Sequence, residues 1–272
     1  MTLPTLGAAL TRAQFAPLRD WMGADGRPLE IADFCEPATI AGDCDALIAD
    51  WRRALDGHEG PRGIHGPFLG LDIAAPDHDI RAVVQRRLIR GVEIAGALGA
   101  THMVVHSPFT HWHALNRVNY PRLRSDLFAA AADCLAPVLA RAAEAGCTVM
   151  LENIEDTDPA DRMDLVAAID HPNLAVSLDT GHAELAHGQW GAPPVVDCIA
   201  AAAGRLGHVH LQDADGYADR HWHPGEGRIP WGPVFAALAA HAPDARLILE
   251  VSRRHDQLPR TVAWLASLGL AA

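Results

Sequence analysis

Nine acids and histidines of this chain stand at or near the ends of short apolar runs. They are His65, His106, Glu152, Asp179, His182, His210, Asp219, His221 and Glu250. Acid and imidazole side chains are expensive to bury unless they are paired or bind a metal. Their repeated placement where candidate strands end indicates one shared site. The chemistry that such a set supports is the binding of a divalent cation, and a chain that gathers it is predicted to be an enzyme.

Four of the nine form the set expected to bind the metal directly. They are Glu152, Asp179, His210 and Glu250, and each ends a different apolar run. Side chains alternate along a strand, so His208 and His210 share one face, with His210 nearer the strand end. A mixed oxygen and nitrogen site of this kind suits Mn²⁺, Zn²⁺, Co²⁺ or Mg²⁺ and does not select among them. A lone acid such as Asp179 often caps the next helix, but four residues on four strands favour the metal.

The elements that would position these residues are eight β-rich runs that alternate with helix-like stretches. The runs are Thr5–Ala9, Leu29–Phe34, Gly63–Phe68, His102–Ser107, Thr148–Asn153, Leu174–Asp179, Gly207–Gln212 and Arg246–Val251. This alternation predicts an α/β fold of the (β/α)8 TIM barrel type, with residues 1–272 forming a single domain. A doubly wound open sheet is the rival, but no Gly-x-Gly-x-x-Gly motif follows an early strand. Barrel active sites lie at the carboxyl ends of the strands, where the nine residues stand.

Helical periodicity supports the same architecture. Apolar residues recur at helical spacing from Asp79 to Leu98, and an alanine-rich helix is predicted from Leu123 to Ala145. Gly99 and Gly146 follow these segments as helix stops. Further helices are predicted over Leu47–Leu55, Val195–Ala203, Phe235–Ala240 and Thr261–Leu268.

Composition restricts the chemistry and the partners. The chain has 272 residues and a net charge of −12, which disfavours a broad grip on nucleic acid or an anionic membrane. Its 22 basic residues are all arginines, so Schiff-base catalysis through lysine is excluded. The five cysteines have irregular spacing and are expected to be thiols. The sequence shows neither a signal peptide nor an apolar stretch of roughly 18 residues, so a cytoplasmic location is expected.

Several motifs resemble those of the xylose isomerase-like barrel superfamily, which includes sugar epimerases, sugar isomerases and endonuclease IV-type enzymes. The resemblance covers about two-thirds of the chain, from His65 to Glu250. Its most specific motifs are His208-Val-His-Leu-Gln-Asp213 and Gly225-Glu-Gly-Arg-Ile-Pro-Trp231. The others are His65-Gly-Pro-Phe68, His106-Ser-Pro, Leu151-Glu152-Asn153 and Asp179-Thr-Gly-His182.

The resemblance implies two alternative chemistries. In the epimerase and isomerase branch, residues matching Glu152, Asp179, His210 and Glu250 hold one divalent metal ion, and a histidine matching His182 lies beside the substrate. The endonuclease IV branch holds three zinc ions with a larger set. That set adds residues matching His65, His106, His182, Asp219 and His221, all of which this chain has. A zinc phosphodiesterase therefore remains the alternative to an isomerase or epimerase.

The mechanism expected for the leading alternative is proton transfer beside a carbonyl. A metal that binds the carbonyl and a neighbouring hydroxyl stabilises the developing enediolate, and two carboxylates remove and return the proton. Glu152 and Glu250 are the catalytic pair, expected on strands four apart and thus on opposite walls of the barrel. The substrate is expected to be a small sugar-like molecule, and the chain a homo-oligomer. Trp222 and His223 stand where ketohexose 3-epimerases carry an arginine, which argues against a ketohexose.

Other polar residues have more open roles. His208 is either a site residue or part of the core. His111, Trp112 and His113 either line the substrate pocket or form a solvent-facing loop. The remaining histidines are expected at the surface or in loops, namely His58, His78, His102, His171, His187, His241 and His255.

Overall fold

Eight parallel strands close into a barrel in which each strand pairs with its neighbours in the sequence and β8 pairs with β1. The structure is a computed structural model that describes residues 3–272. The strands are β1 (Gly7–Leu10), β2 (Leu29–Ile31), β3 (Arg62–His65), β4 (His102–His106), β5 (Thr148–Glu152), β6 (Leu174–Asp179), β7 (Leu206–Leu211) and β8 (Arg246–Leu249). The predicted (β/α)8 TIM barrel is confirmed, and each strand overlaps the run predicted for it.

At least one helix follows every strand. The helices are α1 (Arg12–Ala24), α2 (Pro37–Ala41), α3 (Asp45–Ala54), α4 (His78–Leu98), α5 (His111–Asn116), α6 (Leu123–Ala145), α7 (Pro159–Ile169), α8 (Thr180–Trp190), α9 (Val195–Ala201), α10 (Trp231–His241) and α11 (Leu258–Ser267), with a 3₁₀ turn at His255–Gln257. The predicted stops are confirmed, because Gly99 and Gly146 adopt the left-handed conformation directly after α4 and α6. No helix of residues 3–272 is both long and apolar enough to cross a membrane.

The register between neighbouring strands brings the strand-end residues into lateral pairs. His106 pairs with Glu152 across β4 and β5, and Asp179 pairs with His210 across β6 and β7. Because all eight strands run in the same direction, their carboxyl ends meet at one mouth of the barrel. The fold therefore gathers residues that are far apart in the sequence.

The interior below the mouth is polar, although barrels of this type are usually filled by branched apolar side chains. We call this layer the floor cluster, and its members are Glu30, His102, Ser177, His208 and Arg246. Glu30 lies 3.1 Å from Nε2 of His208 and 3.4 Å from Nε2 of His102. Arg246 donates to Nδ1 of His102, and Nδ1 of His208 lies 2.8 Å from Oγ of Ser177. His208 is therefore a core residue.

The expectation that His102 lies at the surface or in a loop is wrong. His102 begins β4 and is only 1% exposed, since its side chain points into the barrel and has polar partners there. His58 lies in the loop between α3 and β3, as expected, although it is only 5% exposed and packs edge-on against the ring of Phe15. The five cysteines are free thiols, as their spacing predicted.

Candidate metal centre

Four of the predicted residues meet at the mouth of the barrel and form what we call the central cluster. Its members are Glu152, Asp179, His210 and Glu250, each with one ligand atom within 4.8 Å of the others. Nδ1 of His210 lies 2.6 Å from Oε1 of Glu152 and 3.4 Å from Oε2 of Glu250. Three members are fully or almost fully buried, whereas the Glu250 side chain is 20% exposed and faces the opening.

Two oxygens of this cluster lack the partners that burial normally requires. Oε2 of Glu152 and Oδ2 of Asp179 are buried without any hydrogen bond. A buried carboxylate oxygen without a donor costs free energy unless a cation neutralises it. The donor set and these two oxygens therefore fit a divalent metal ion.

Asp179 has two roles, one for each carboxylate oxygen. Its Oδ1 accepts a hydrogen bond of 2.7 Å from the backbone N–H of His182 and caps α8. Asn153 fixes the backbone of Asp179 by a pair of hydrogen bonds, of 2.8 and 3.0 Å. The helix cap expected of a lone strand-end aspartate is thus present, and the second oxygen remains available to a metal.

A first flanking cluster shares Glu152 with the central one. Its members are His65, His106 and Glu152. Nε2 of His65 lies 3.9 Å, and Nε2 of His106 lies 3.7 Å, from the unpartnered Oε2 of Glu152. Glu152 therefore belongs to both clusters, and its carboxylate would serve a cation held by either of them.

A second flanking cluster lies on the other side, near Asp179. Its members are His182, Asp219 and His221. Asp219 lies 3.4 Å from Nε2 of His182 and 3.1 Å from Nε2 of His221. The buried amide of Gln212 connects this cluster to the central one, because its nitrogen donates at 3.1 Å to both Asp179 and Asp219.

Three of the flanking histidines are each held by a contact between Nδ1 and a backbone carbonyl oxygen. The pairs are Nδ1 of His65 with the Gly66 oxygen at 2.9 Å, Nδ1 of His182 with the Asn153 oxygen at 3.0 Å, and Nδ1 of His221 with the Glu250 oxygen at 3.3 Å. These contacts leave Nε2 facing the cluster. His210 is reversed, since its Nε2 lies 2.8 Å from Oε1 of Glu30 and its Nδ1 faces the central cluster.

Electrostatics within the central cluster favours positive charge. Burial lowers the pKa of His210, but the carboxylates around it, foremost Glu250, outweigh burial and raise the pKa well above its ordinary value. Burial raises the pKa of Asp179 to about 6, and the charge of Glu152 adds to the rise. A cation and the imidazolium proton neutralise the same carboxylates, so metal binding is expected to release protons.

The expected positions of the two catalytic glutamates need a correction. Glu152 ends β5 and Glu250 directly follows β8, so they are three strands apart in the ring of eight. The expectation of strands four apart, on directly opposite walls, is wrong, because only three strand-to-strand steps separate β5 from β8 in the barrel. The two carboxylates still come from different walls and approach the same imidazole nitrogen.

The structure adds two residues that sequence reasoning missed, Glu30 and Gln212. Glu30 lies within the run Leu29-Glu30-Ile31, and an acid between two apolar strand residues is itself a signal of a buried polar network. The signal was missed because only residues at strand ends were considered. Gln212 follows β7 and carries no charge, so residue type alone did not distinguish it.

The residues after β4 form a short helix rather than a loop. Nδ1 of His111 lies 2.8 Å from Glu155, and its ring stacks on Trp190 at 4.3 Å. Trp112 is 48% exposed, and His113 caps the start of α5. None of these three side chains belongs to the metal-ligand clusters.

Comparisons with known proteins give the relationships of the chain. A family profile described as xylose isomerase-like TIM barrel matches residues 30–268. D-psicose 3-epimerase of Ruminiclostridium cellulolyticum is 24% identical over 194 residues, which cover 68% of this chain and 61% of that protein. The chain spans less than two thirds of the length of the curated relatives it matches.

Solved structures give matches over nearly the whole chain. The TTHB071 protein of Thermus thermophilus, from a crystal soaked with ZnCl2, has a TM-score of 0.70 at 28% identity and covers 97% of both chains. A D-tagatose 3-epimerase-like protein has a TM-score of 0.76 at 22% identity, covering 97% of this chain and 98% of that one. By its profile match and its closed eight-stranded barrel, the chain belongs to the xylose isomerase-like TIM barrel family.

Proposed function

We propose that this protein is a divalent-metal-dependent isomerase or epimerase of a sugar or a related polyhydroxy carbonyl compound. The observation that carries the proposal is the central cluster, in which two glutamates from different walls flank one imidazole nitrogen at the barrel mouth. The similarity to D-psicose 3-epimerase supports the substrate class.

The metal would be held by Glu152, Asp179, His210 and Glu250. When bound, a divalent cation at such a site stabilises the negative charge that develops on substrate oxygens during proton removal. Glu250 faces the opening and is placed to exchange a proton with solvent, whereas the buried Glu152 is placed to hold or return a proton away from water. Asp179 and His210 would serve as ligands, and His182 would hydrogen-bond the substrate.

The proposal also includes the kind of substrate, the location and assembly of the protein, and the metal. A net charge of −12 and the absence of lysine suit a small neutral or hydroxy-acid substrate better than nucleic acid. We further propose a cytoplasmic enzyme that assembles as a homo-oligomer. The metal is one of Mn²⁺, Zn²⁺, Co²⁺ or Mg²⁺.

Proton exchange at carbon tests the isomerase directly. The protein, loaded in turn with each of the four metals, is incubated in D₂O with a panel of keto-sugars, and deuterium at carbon is measured by mass spectrometry. We expect label beside the carbonyl, and we expect Glu250→Gln to reduce its rate about 10² to 10⁴-fold. Glu155→Gln makes the same change outside the clusters and is the control. The absence of label with every sugar and every metal would refute the proposal.

A zinc phosphodiesterase is the second candidate, and the two flanking clusters favour it. Together with the central cluster they provide three of the four groups of potential ligands found among residues 3–272, the fourth being Glu30, His208 and His210 on the floor, and Glu152 belongs to two of the three at the mouth. A three-zinc site would clamp and neutralise a phosphate that a single-metal isomerase would not require.

Metal content and phosphodiester hydrolysis separate the two candidates. Elemental analysis of the purified protein should give about one metal per chain for the isomerase and three zinc ions for the phosphodiesterase. Only the second predicts hydrolysis of bis(p-nitrophenyl) phosphate, with about a 10²-fold or larger loss in His106→Gln. One metal without hydrolysis eliminates the phosphodiesterase.

A further inference from the structure

Glu30 is a fully buried carboxylate whose two oxygens both have imidazole partners. Oε1 lies 2.8 Å from Nε2 of His210, and Oε2 lies 3.1 Å from Nε2 of His208 and 3.4 Å from Nε2 of His102. The accessible fraction of Glu30 is 0%, so bulk solvent does not reach these contacts. A single side chain in the floor cluster therefore contacts a member of the central cluster.

The hydrogen-bond donors to Glu30 can be assigned from the residues around it. Arginine has no acceptor nitrogen, so Arg246 must donate to Nδ1 of His102, and the proton of neutral His102 is then on Nε2, facing Glu30. Burial lowers the pKa of His102 to about 3, so this ring is neutral near pH 7. Glu30 is the anion of the group and accepts N–H bonds.

The charge of Glu30 is stabilised although it is buried. Nε2 of His210 lies 2.8 Å from its Oε1, and Nε2 of His102, which carries the proton of that ring, lies 3.4 Å from its Oε2. Hydrogen bonds to an ionised acceptor are the strong ones. Glu30 therefore holds the ring of His210 more firmly than a neutral acceptor would.

His210 differs from the flanking histidines in both its anchor and its orientation. Three flanking histidines are held at Nδ1 by neutral backbone carbonyls and offer Nε2. His210 is held at Nε2 by a carboxylate and offers Nδ1. A carboxylate behind a ligating histidine fixes its tautomer and raises its basicity, and the loss of such a partner typically costs 10 to 100-fold in metal affinity.

We propose that Glu30 is a positioning residue of the metal centre: it fixes the proton of His210 on Nε2, presents Nδ1 to the metal, and makes the central cluster the tightest of the three. The proposal rests on the metal site of the proposed function but not on sugar isomerisation. It would stand if the enzyme proved to be a phosphodiesterase.

Metal affinity, measured without turnover, tests the proposal. The metal-free protein is titrated with Zn²⁺ against a competing chelator, for wild type, Glu30→Gln and Ser177→Ala. The amide that Glu30→Gln introduces would place N–H groups against imidazole N–H groups, so the tightest site should weaken about 10 to 100-fold. Ser177→Ala removes the hydrogen bond to His208 in the same floor cluster but does not touch His210, and its tightest site should change less than about threefold.

Two results would overturn the proposal. One is that Glu30→Gln binds Zn²⁺ as tightly as wild type, and the other is that Ser177→Ala weakens binding equally, which would make the effect one of floor packing. Thermal unfolding of the metal-free variants reports packing separately. Should Glu30→Gln fail to fold, long-range ¹H–¹⁵N spectra of wild type decide the question. The Zn²⁺-loaded protein should show His210 protonated at Nε2 and bound at Nδ1, and the reverse assignment would refute the role of Glu30.

Discussion

The mouth and the floor of the barrel interior both bury a glutamate against His210, and the two glutamates differ in how well they are satisfied. Glu152 at the mouth uses Oε1 for His210 and leaves Oε2 buried without a hydrogen bond. Glu30 on the floor has imidazole partners for both oxygens. Both are almost fully buried, so burial does not distinguish them.

This difference distinguishes the residues that would bind a metal ion from the residues that hold those ligands in position. Buried polar atoms are normally satisfied, and an unsatisfied one requires an explanation such as a missing ion. The mouth carries such atoms on Glu152 and Asp179, where a cation would bind. On the floor both oxygens of Glu30 have imidazole partners, although Nε2 of His208 is itself without a hydrogen bond. Changes at the mouth should therefore affect chemistry directly, whereas changes on the floor should affect stability and reach the metal centre only through the contact of Glu30 with His210.

The largest effect is expected from Glu152→Gln. This change removes the charge that the central and first flanking clusters share, and several kcal/mol of metal-derived stabilisation correspond to a loss of about 10³-fold in kcat. The stability of the metal-free protein should fall, since the buried carboxylate of Glu152 lies 2.6 Å from Nδ1 of His210 and this ion pair loses its negative partner. Activity assays and thermal unfolding together check this. Glu155→Gln, on the same segment but outside the clusters, should retain full activity.

A metal-dependent gain in stability is the next largest effect. A ligand that binds only the folded state at about 100 times its Kd adds about 2.7 kcal/mol. For a chain of this size that gain corresponds to a rise in Tm of roughly 5 to 10 °C. Differential scanning calorimetry of chelator-treated protein, with and without added Mn²⁺ or Zn²⁺, measures it. An unchanged Tm at saturating metal would contradict the assignment of the mouth as a metal site.

The smallest expected effect lies on the floor, at Gly63. An added Cβ there would collide with the imidazole ring of His102, which contacts Glu30. Overpacking of this kind costs about 1 to 3 kcal/mol in the free energy of unfolding. Urea unfolding of Gly63→Ala measures the loss. Gly23→Ala in α1, where a Cβ meets nothing within 4 Å, is the matched control and should be neutral or slightly stabilising.

The Gly63→Ala variant also tests whether packing on the floor affects metal binding at the mouth. Its metal stoichiometry should equal that of wild type, because Gly63 touches none of the central cluster. A loss of metal without a loss of stability would mean that packing on the floor, and not only the contact of Glu30 with His210, controls metal binding at the mouth.

The strands, the long helices and the residues at the mouth could all be predicted from the sequence alone. Apolar runs, the glycines that end α4 and α6, and acids at strand ends are local features of the sequence. Such features can be recognised without knowing which residues contact each other in the fold. The four residues of the central cluster were predicted on this basis, and the structure brings them together.

Long-range packing divides the nine residues into the central cluster and two flanking clusters, and it sets the contacts that hold their side chains. Oε1 of Glu152 and Nδ1 of His210 are 58 residues apart in the chain, and Oε1 of Glu30 and Nε2 of His210 are 180 residues apart. Closure of the barrel and the alternation of inward side chains set these contacts, together with the ring nitrogen that each histidine presents. The sequence therefore determined which side chains could bind a metal, and long-range packing decided which of their atoms face it.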